Sequence, residues 1–455
     1  MSEVAVALVP PSVHRFVLSL MVALPVLALL GCSQGVDGPV RIVLITVDTL
    51  RYDGFEPMHG QPSLMPKMYR LAQQGVIFRR HYSATSTTQP THASILTGLH
   101  PWRHGVYQNG VPLGDGFETI AERMKQAGFS TGAVVASFPL YRGFGFARGF
   151  DDYDEEFTEM ETESWRGLKV PEGRFYSLAG SVTQKAIGLM DRASGKKQFF
   201  WFHYFDPHAP YGDLAGGELY RPSWVSSRLR KPETLSDARA MIPVMHKAYD
   251  RDVRALDDSL GVLIEHIRRE EDEFETHILF VSDHGEAFGE SGSVGHGTRL
   301  TEELIHVPCF IHSPRMGSRP SEIPIGSVDL AATILSLAGL DARESDGRDL
   351  TGASSEEGPV VGMRRTWDEA EIEYRTDGKP YRLAARQFYA VVGDRVYKGN
   401  QASIATNDTE PVEEQTAERM KKLFANFERE LDAIAGKLTI SAKEREALEA
   451  LGYVQ

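Results

Sequence analysis

The feature that most constrains the fold is an apolar, β-branched run at residues 40–47, VRIVLITV, which ends at Asp48. An almost uninterrupted run of this kind is typical of a strand that is buried on both faces of a parallel sheet. Similar runs recur farther along the chain, and amphipathic stretches typical of helices separate them, the runs lying at residues 132–136, 199–205 and 278–282. This alternation predicts an α/β fold with a doubly wound, mostly parallel sheet.

Three of the predicted strands are followed by acidic residues, namely Asp48, Asp206 and Asp283. Open α/β sheets bind their ligands at the carboxyl ends of their parallel strands. The sequence therefore predicts a single site to which these three strands contribute.

The first residues of the chain indicate a targeting signal. Residues 16–31 form an apolar stretch. It is shorter than the ~20 residues that span a bilayer comfortably, and it is typical of the hydrophobic region of a secretory signal peptide. The stretch closes on LLGCS at residues 29–33, which resembles the lipobox of bacterial lipoproteins, where the cysteine is acylated and becomes the mature N-terminus. A plain signal peptide or an uncleaved anchor is the alternative.

The lipobox interpretation sets several expectations. It predicts a lipoprotein signal peptide over residues 1–31, lipidation of Cys32 and a tether over residues 32–39. The protein would then be held at a membrane by its N-terminal lipid and act outside the cytoplasm, as a bacterial envelope lipoprotein. By analogy with that class, Ser33 after the cysteine favours the periplasmic face of the outer membrane.

The sequence pattern changes after about residue 347. Residues 383–398 alternate like a β-hairpin, with Gly393-Asp394 in or near its turn. Farther on, apolar residues recur at three- and four-residue steps, which predicts a helix with one buried face: Met420, Leu423, Phe424, Phe427, Leu431 and Ile434. We therefore expect a catalytic α/β domain over residues 40–347. A smaller α+β subdomain with an antiparallel sheet and packing helices should cover residues 348–455.

Charge and cysteine content exclude some classes of partner and fold. The formal net charge is −14, because 63 acidic residues outnumber 49 basic ones. A polyanion would be repelled, so we expect no nucleic-acid partner. Cys309 lies in an apolar run and is expected to be a small core residue. The sequence gives no indication of the oligomeric state.

The segment at residues 86–104, STTQPTHASILTGLHPWRH, places Thr88 just before a predicted helix. The free N–H groups and the dipole at a helix N-terminus favour a bound anion. A threonine cap before a helix that begins with proline would give the same pattern. The presence of Asp48, the Asp283-His284 pair and two further histidines, His208 and His296, favours the first interpretation.

With these motifs, the chain from about residue 40 to its C-terminus resembles the sulfatase family of the alkaline phosphatase superfamily. The matching segments are VDTLR at 47–51, TQPTHASILTG at 88–98, FDPHAPY at 205–211, SDHG at 282–285, GHG at 295–297, VDLAATIL at 328–335 and ALGYV at 450–454. The resemblance implies an alkaline-phosphatase-like fold, hydrolysis of phosphoric or sulfuric esters, and a divalent metal. It implies Asp48, Thr88, Asp283 and His284 as metal ligands.

The chain departs from the family pattern at the nucleophile. Sulfatases use a formylglycine made from the Cys or Ser of a Cys/Ser-x-Pro-x-Arg motif, whereas Thr88 and His92 occupy those positions here. Oxidation of threonine would give a poorly hydrated ketone, so we expect Thr88 to act through its hydroxyl. In addition, Thr49 replaces a metal aspartate, and residues 136–139, ASFP, replace a Gly-Lys-Trp-His segment that binds sulfate.

Threonine nucleophiles occur elsewhere in the superfamily, in nucleotide pyrophosphatase/phosphodiesterases and in lipoteichoic acid and phosphoethanolamine transferases. A metal beside Thr88 would lower the pKa of its hydroxyl, which would then attack phosphorus and be displaced by water or an alcohol. The leading hypothesis is therefore a metal-dependent hydrolase or transferase of phosphate mono- or diesters. The alternatives are a sulfuric ester hydrolase that uses the same site, and a catalytically degenerate lipoprotein that binds the envelope.

The mixed oxygen and nitrogen ligands favour Zn²⁺ or Mn²⁺, with Ca²⁺ as the alternative. His208 and His296 are expected to act in catalysis, on the anionic oxygens or the leaving group; alternatively, they hold a second metal together with Asp206. His92 and Thr91 are candidates for binding substrate, although His92 is as readily structural, and histidines such as His203 are taken as structural. The expected substrate is a small-molecule, lipid or glycan ester. Its specificity would come from loops such as residues 155–174.

Overall fold

The computed structural model describes residues 38–435, except 59, 162–163, 166–167, 171–172, 213–217, 353–357, 365–371 and 407–410. The predicted signal peptide, Cys32, nearly all of the tether and the closing motif at 450–454 lie outside the described residues. All of the described residues belong to one unit, Gln34–Gln455. Within the described part of the chain, no helix is both long and apolar enough to cross a membrane.

An eight-stranded sheet forms the centre of the fold. Its strands lie in the order Arg319–Ser321, Val76–Phe78, Cys309–His312, Glu275–Ser282, Val40–Val47, Lys197–Tyr204, Ser130–Val134 and Asp152–Asp154. The last five strands in this order are parallel, and Cys309–His312 is antiparallel to both of its neighbours. Every residue of Val40–Val47 is buried. The predicted mostly parallel sheet, with this strand at its centre, is confirmed.

The helices form two groups that pack among themselves, as expected for the two faces of a doubly wound sheet. One group contains Pro66–Ala72, Ala179–Arg192, Pro222–Leu229 and Leu235–Arg268, and the other contains Thr88–Thr97, Pro101–His104, Ile120–Gln126 and Ser327–Leu337. The remaining helical segments are Tyr52–Phe55, Glu302–Ile305 and Glu414–Ala435, with 3-10 turns at Phe138–Leu140, Arg142–Phe144 and Pro232–Thr234.

The structure also contains short strand pairs that are separate from the central sheet. They are His81–Tyr82 with Ile325–Gly326, Ala287–Phe288 with Val294–Gly295, Ile372–Tyr374 with Pro380–Arg382, Glu159–Glu161 with Arg174–Tyr176, and Ser164–Trp165 with Leu168–Lys169. Cys309 is a free, buried thiol in the central sheet. Burial raises the pKa of this thiol, which confirms its expected place in the core.

The C-terminal part is an antiparallel sheet covered by one helix. Its strands are Val360–Met363, Phe388–Val392, Arg395–Gly399 and Ile404–Thr406. Val392 pairs with Arg395, so the predicted hairpin and its turn at Gly393-Asp394 are confirmed. The helix Glu414–Ala435 buries its predicted apolar face in a cluster that contains Trp102, Phe388, Met420, Phe424, Phe427 and Leu431.

The C-terminal sheet packs directly against the segment that leads to Thr88. Met363 donates its N–H to the carbonyl of Ala84 at 2.9 Å, and the Tyr389 hydroxyl donates to the carbonyl of Ser83 at 2.5 Å. A Cβ atom at Gly362 would lie 2.3 Å from the Tyr389 ring and 2.5 Å from the Ala84 oxygen. Only glycine leaves room for this close approach.

Candidate active site

The candidate site lies at the carboxyl ends of two adjacent strands of the central sheet. Asp48 follows Val40–Val47, and Asp283 and His284 follow Glu275–Ser282. The strands pair in parallel over all eight residues, and Asp283 donates its N–H to the carbonyl of Val47. Because the two strands end together, the structure brings these three predicted ligands together as expected.

The ligand atoms of Asp48, Asp283 and His284 all lie within 4.8 Å of one another, and all three side chains are buried. Nε2 of His284 lies 3.6 Å from Oδ1 of Asp48 and 3.6 Å from Oδ2 of Asp283. These three atoms have no hydrogen-bond partner among the described residues. Buried polar atoms without partners are costly, and a divalent cation would satisfy all three at once.

The two carboxyl groups have opposite pKa shifts. Burial would raise the pKa of Asp48, but His203, His208 and His284 around it outweigh burial and hold that pKa below its ordinary range. For Asp283, burial and the nearby charge of Asp48 raise the pKa well above its ordinary value. Two buried carboxylates at this distance are compatible with full ionisation only when a cation lies between them.

The imidazole of His284 is oriented for metal binding. Its Nδ1 donates to the carbonyl of Gly285 at 3.0 Å, so the lone pair is on Nε2, which faces the two carboxylates. Burial and the neighbouring His296 lower the pKa of His284 to about 3, and a neutral ring is the form that binds metals. The residues present therefore fit a divalent metal.

Thr88 is the first residue of the helix Thr88–Thr97. Gly98 caps the C-terminal end of this helix in a left-handed conformation, with a φ of 70°. The Thr88 hydroxyl donates to Oδ2 of Asp48 at 3.3 Å. The side chain thus points to the cluster instead of capping its own helix. The structure brings the predicted nucleophile together with the predicted metal ligands.

His92 lies one turn after Thr88 on the same helix and is fully buried. Its Nδ1 donates to the carbonyl of Thr88 at 2.9 Å, and its Nε2 accepts from the Thr46 hydroxyl at 3.0 Å. The indole N–H of Trp201 donates in turn to Thr46 at 3.0 Å. Burial lowers the pKa of His92 to about 3, so a neutral ring fixes the backbone of Thr88. These contacts support a structural role for His92 over a role in binding substrate.

Thr91 is also fully buried, and its hydroxyl donates to the carbonyl of Thr85 at 3.2 Å. With no exposed surface on His92 or Thr91, neither side chain is placed to contact a substrate in this structure. Their predicted role in substrate binding gains no support here.

His208 and His296 lie next to the metal cluster. Their ring centroids are 4.9 Å apart, and the His296 centroid is 4.5 Å from that of His284. Nδ1 of His208 donates to the carbonyl of Ala209 at 2.7 Å, and Nδ1 of His296 lies 3.2 Å from the Glu286 carboxylate. Burial lowers the pKa of His208.

Asp206, predicted as a possible ligand of a second metal, contacts the start of a helix. Its Oδ1 accepts the N–H of Ala179 at 2.8 Å, at the start of the helix Ala179–Arg192. Across the described ranges, Asp48, Asp283 and His284 are the only His, Cys, Asp or Glu side chains that come close enough in a group of three to hold a metal ion. The alternative of a second metal at Asp206, His208 and His296 therefore gains no support from this geometry and stays a prediction.

Two contributors to the site were not expected from the sequence. His203, taken as structural, accepts the N–H of Ala136 on Nδ1 at 3.3 Å and places Nε2 3.8 Å from Oδ2 of Asp48. Its pairing opposite Thr46, one residue before the carboxyl ends of both strands, is the signal that would have found it. Glu286 is the other contributor; it is fully buried and faces His296.

Thr49, which replaces the family's second metal aspartate, contributes through its backbone. Its N–H donates to Oδ1 of Asp283 at 3.2 Å, and its carbonyl accepts from the Tyr249 hydroxyl at 3.0 Å. These contacts hold it at a φ of 55°, which is rare for a β-branched residue. Thr49 therefore keeps an unfavourable backbone conformation beside the metal cluster, and its N–H orients the carboxylate of Asp283.

Comparisons with known proteins show which family this chain is similar to. Residues 41–340 match the family model described as Sulfatase. An uncharacterized sulfatase of Escherichia coli is 23% identical over 365 residues, which cover 70% of this chain and 71% of that protein. The N-acetylgalactosamine-6-sulfatase of Rattus norvegicus is 26% identical over 383 residues, covering 72% and 68%. The phosphonate monoester hydrolase of Silicibacter pomeroyi has a similar fold, with a TM-score of 0.59, 20% identity, and coverage of 88% and 97%.

Proposed function

The chain belongs to the sulfatase family of ester hydrolases, and from this premise we propose that it is a metal-dependent hydrolase or transferase of phosphate mono- or diesters. The observation that carries the proposal is the position of the Thr88 hydroxyl, 3.3 Å from Oδ2 of Asp48, a member of the metal-binding cluster. A divalent cation held by Asp48, Asp283 and His284 supplies positive charge that lowers the pKa of a neighbouring hydroxyl.

The proposed reaction has two displacements at phosphorus. Thr88 passes its proton to Asp48, and its oxygen attacks phosphorus while the bond to the leaving group breaks. The leaving oxygen keeps the bonding electrons and takes a proton from a histidine beside the cluster, His208 or His296. Water or an alcohol then attacks the phosphothreonine and returns a proton to the histidine, the bond between phosphorus and Thr88 breaks, and the Thr88 oxygen takes its proton back from Asp48. His92 holds the Thr88 backbone in place throughout.

The chemistry of the nucleophile supports phosphorus over sulfur. Formylglycine enzymes release sulfate by elimination from a geminal diol, and a threonine ester has no such route. The residues at 136–139, ASFP, also lack the lysine and histidine of the family's sulfate-binding segment. A sulfated Thr88 would therefore have no elimination route of release, whereas a phosphorylated Thr88 is open to in-line attack.

The charge balance of the site favours a diester within this class. Asp48 and Asp283 offset the two charges of a divalent cation. The nearby guanidinium of Arg51 is already paired with Asp53 at 2.6 Å and Glu290 at 2.7 Å. A site with little net positive charge binds a monoanion better than a dianion. Phosphodiesters are monoanions near neutral pH, whereas phosphate monoesters are dianions.

We propose Zn²⁺ or Mn²⁺ as the metal, because two carboxylates, one imidazole and one hydroxyl form a mixed ligand set. Ca²⁺, which prefers six to eight oxygen ligands, is the weaker candidate. For the substrate, one relative is named for a sulfated amino sugar, which supports a glycan or another small-molecule ester. We also propose that the enzyme acts outside the cytoplasm, tethered through a lipid on Cys32.

Parallel assays on metal-loaded protein test the proposal. The substrates are methyl 4-nitrophenyl phosphate, 4-nitrophenyl phosphate and 4-nitrophenyl sulfate. We expect the diester to be cleaved fastest, and Thr88→Ala to lose at least ~10²-fold in kcat. Thr97→Ala is the matched control, since this threonine ends the same helix and, among the described residues, its hydroxyl bonds to the Ala93 carbonyl and the Leu99 N–H, away from the cluster. Faster cleavage of the sulfate would favour the sulfuric ester hydrolase instead.

Accurate mass of the Thr88 peptide after brief exposure to substrate gives an independent readout. A phosphoryl group on this peptide is the expected result. A sulfuryl group, or a modified residue elsewhere, contradicts the proposed nucleophile or substrate class.

A further inference from the structure

The backbone of Thr49 follows Asp48 in a conformation that a β-branched residue rarely adopts. Its φ is 55°, and in this left-handed region the substituents on Cβ of a threonine crowd the backbone. The Thr49 hydroxyl is buried and, among the described residues, has no hydrogen-bond partner. The side chain therefore gives its own backbone no hydrogen bond, and contacts from elsewhere must hold this conformation.

Two hydrogen bonds between described residues hold the Thr49 backbone. Its N–H donates to Oδ1 of Asp283 at 3.2 Å, and its carbonyl accepts the hydroxyl of Tyr249 at 3.0 Å. Tyr249 is fully buried and lies in the long helix Leu235–Arg268, which contains none of the cluster residues. A single phenolic hydroxyl thus connects this helix to the backbone beside the cluster.

The same hydroxyl of Tyr249 accepts the N–H of Arg51 at 2.8 Å. Arg51 has further anchors, because its guanidinium pairs with Asp53 and Glu290. Loss of the Tyr249 hydroxyl would leave these ion pairs in place. The backbone would then relax mainly at Thr49, where the conformation is unfavourable.

We propose that Tyr249 is a positioning residue for the metal site: its hydroxyl keeps Thr49 in the left-handed conformation, in which the Thr49 N–H fixes the carboxylate of Asp283. Oδ1 of Asp283 also accepts the N–H of His284 at 2.7 Å, and Oδ2 lies 3.6 Å from Nε2 of His284 in the cluster. The inference rests on the metal site of the proposed function and is independent of the choice between phosphate and sulfate esters.

The test measures metal affinity in Tyr249→Phe. Phenylalanine keeps the ring, which packs on Phe288 with centroids 5.2 Å apart, and removes only the hydroxyl. Mn²⁺ binding is followed by the EPR signal of the free ion, and Zn²⁺ binding by competition with a chromogenic chelator. We expect both Kd values to rise roughly 10-fold or more, as is typical when a residue that orients a metal ligand is lost.

Tyr153→Phe is the matched control. The hydroxyl of Tyr153 also donates to a backbone carbonyl, that of Leu140, at 2.6 Å. Tyr153 lies in Asp152–Asp154, the edge strand of the central sheet and three places away from Val40–Val47. This variant loses the same kind of hydrogen bond and should bind both ions as the wild type does.

Substitutions of Thr49 separate a positioning role from a general disturbance of the site. Glycine adopts a positive φ about as readily as a negative one, so Tyr249→Phe should weaken metal binding by less than about 3-fold in the Thr49→Gly background. Alanine keeps the Cβ atom that disfavours this conformation, so the loss in the Thr49→Ala background should be several times larger. Each ratio compares two proteins with the same residue at position 49, so any contribution of the threonine hydroxyl itself cancels.

The other outcomes have distinct meanings. Equal losses in the Thr49→Gly and Thr49→Ala backgrounds, or wild-type affinity in Tyr249→Phe, overturn the positioning role and leave the proposed function intact. If Tyr249→Phe does not fold, the double variant with Thr49→Gly should fold and bind metal, and failure of both to fold also overturns the role. A wild-type protein that binds neither ion overturns the proposed metal site, and the proposed function with it.

Discussion

Replacing Asp283 with asparagine should alter stability differently with and without a divalent metal. Without metal, burial and the charge of Asp48 raise the pKa of Asp283, which shows that the ionised pair is unfavourable. Asparagine keeps an oxygen for the N–H groups of Thr49 and His284, which Oδ1 accepts at 3.2 and 2.7 Å. Its amide can also donate to Asp48. The metal-free variant should therefore be at least as stable as the wild type.

With metal the order reverses. At a free metal concentration of 100 times Kd, binding adds about 2.7 kcal/mol to the free energy of unfolding of the wild type. With roughly 2.1 cal/mol/K of unfolding entropy per residue, this corresponds to a rise in Tm of about 3 °C for a chain of this length. If the loss of one carboxylate ligand weakens binding about 100-fold, the same metal concentration adds only about 0.4 kcal/mol to the variant.

Thermal unfolding of chelator-treated protein, followed during titration with Zn²⁺, Mn²⁺ or Ca²⁺, measures both effects. Asp257→Asn is the matched control, because Asp257 is also buried but accepts the N–H groups of Lys67 and Met68 in another helix. This control should keep the full metal-dependent shift. The reasoning is refuted if no ion raises the Tm of the wild type, or if Asp283→Asn retains the wild-type shift.

Three further outcomes follow from other parts of the chain. Thr46→Val should cost roughly 2–4 kcal/mol of unfolding free energy in urea titrations, because it leaves the Trp201 N–H and Nε2 of His92 buried without partners; Thr46→Ser should restore most of it. Burial lowers the pKa of His104 to about 3, so its contribution to stability is complete above pH 6.5 and falls at up to ~1.4 kcal/mol per pH unit from there toward pH 3. His104→Gln should flatten that part of the profile, and an unchanged slope would contradict the assignment. Cys32→Ser should abolish labelling by a fatty acid and release the protein from membrane fractions. A wild-type protein that takes up no fatty-acid label would contradict the predicted lipid anchor.

Sequence reasoning worked best where a local pattern determines the structure. The run at 40–47 predicted a central strand, and its end at Asp48 predicted a residue of the site, because a strand buried on both faces must be apolar throughout and must end where polar residues begin. The same applies to the hairpin around Gly393-Asp394 and to the C-terminal helix, whose periodicities reflect burial on one face.

Reasoning from the chain alone failed where a side chain's role depends on its neighbours in space. Asp206 lies shortly after a strand, as Asp48 does, but its Oδ1 accepts the N–H of Ala179 at the start of the helix Ala179–Arg192, a contact that the sequence did not indicate. His203 lies inside a strand, and only the pairing of that strand with Val40–Val47 brings it to Asp48. Glu286 directly follows the motif at 282–285, and only the fold brings its carboxylate to His296, ten residues later in the chain.

The packing of Val360–Met363 against Ala84 has a consequence for engineering. A gene shortened after codon 347 would encode every reacting group, yet the carbonyls of Ser83 and Ala84 would lose the Tyr389 hydroxyl and the Met363 N–H that bind them. In the resulting fragment, the segment that leads to Thr88 would lose its support, so the fragment would not be a minimal active enzyme. Exchanging the C-terminal portion between homologues should therefore change the position and the reactivity of Thr88, although none of the exchanged residues takes part in the reaction.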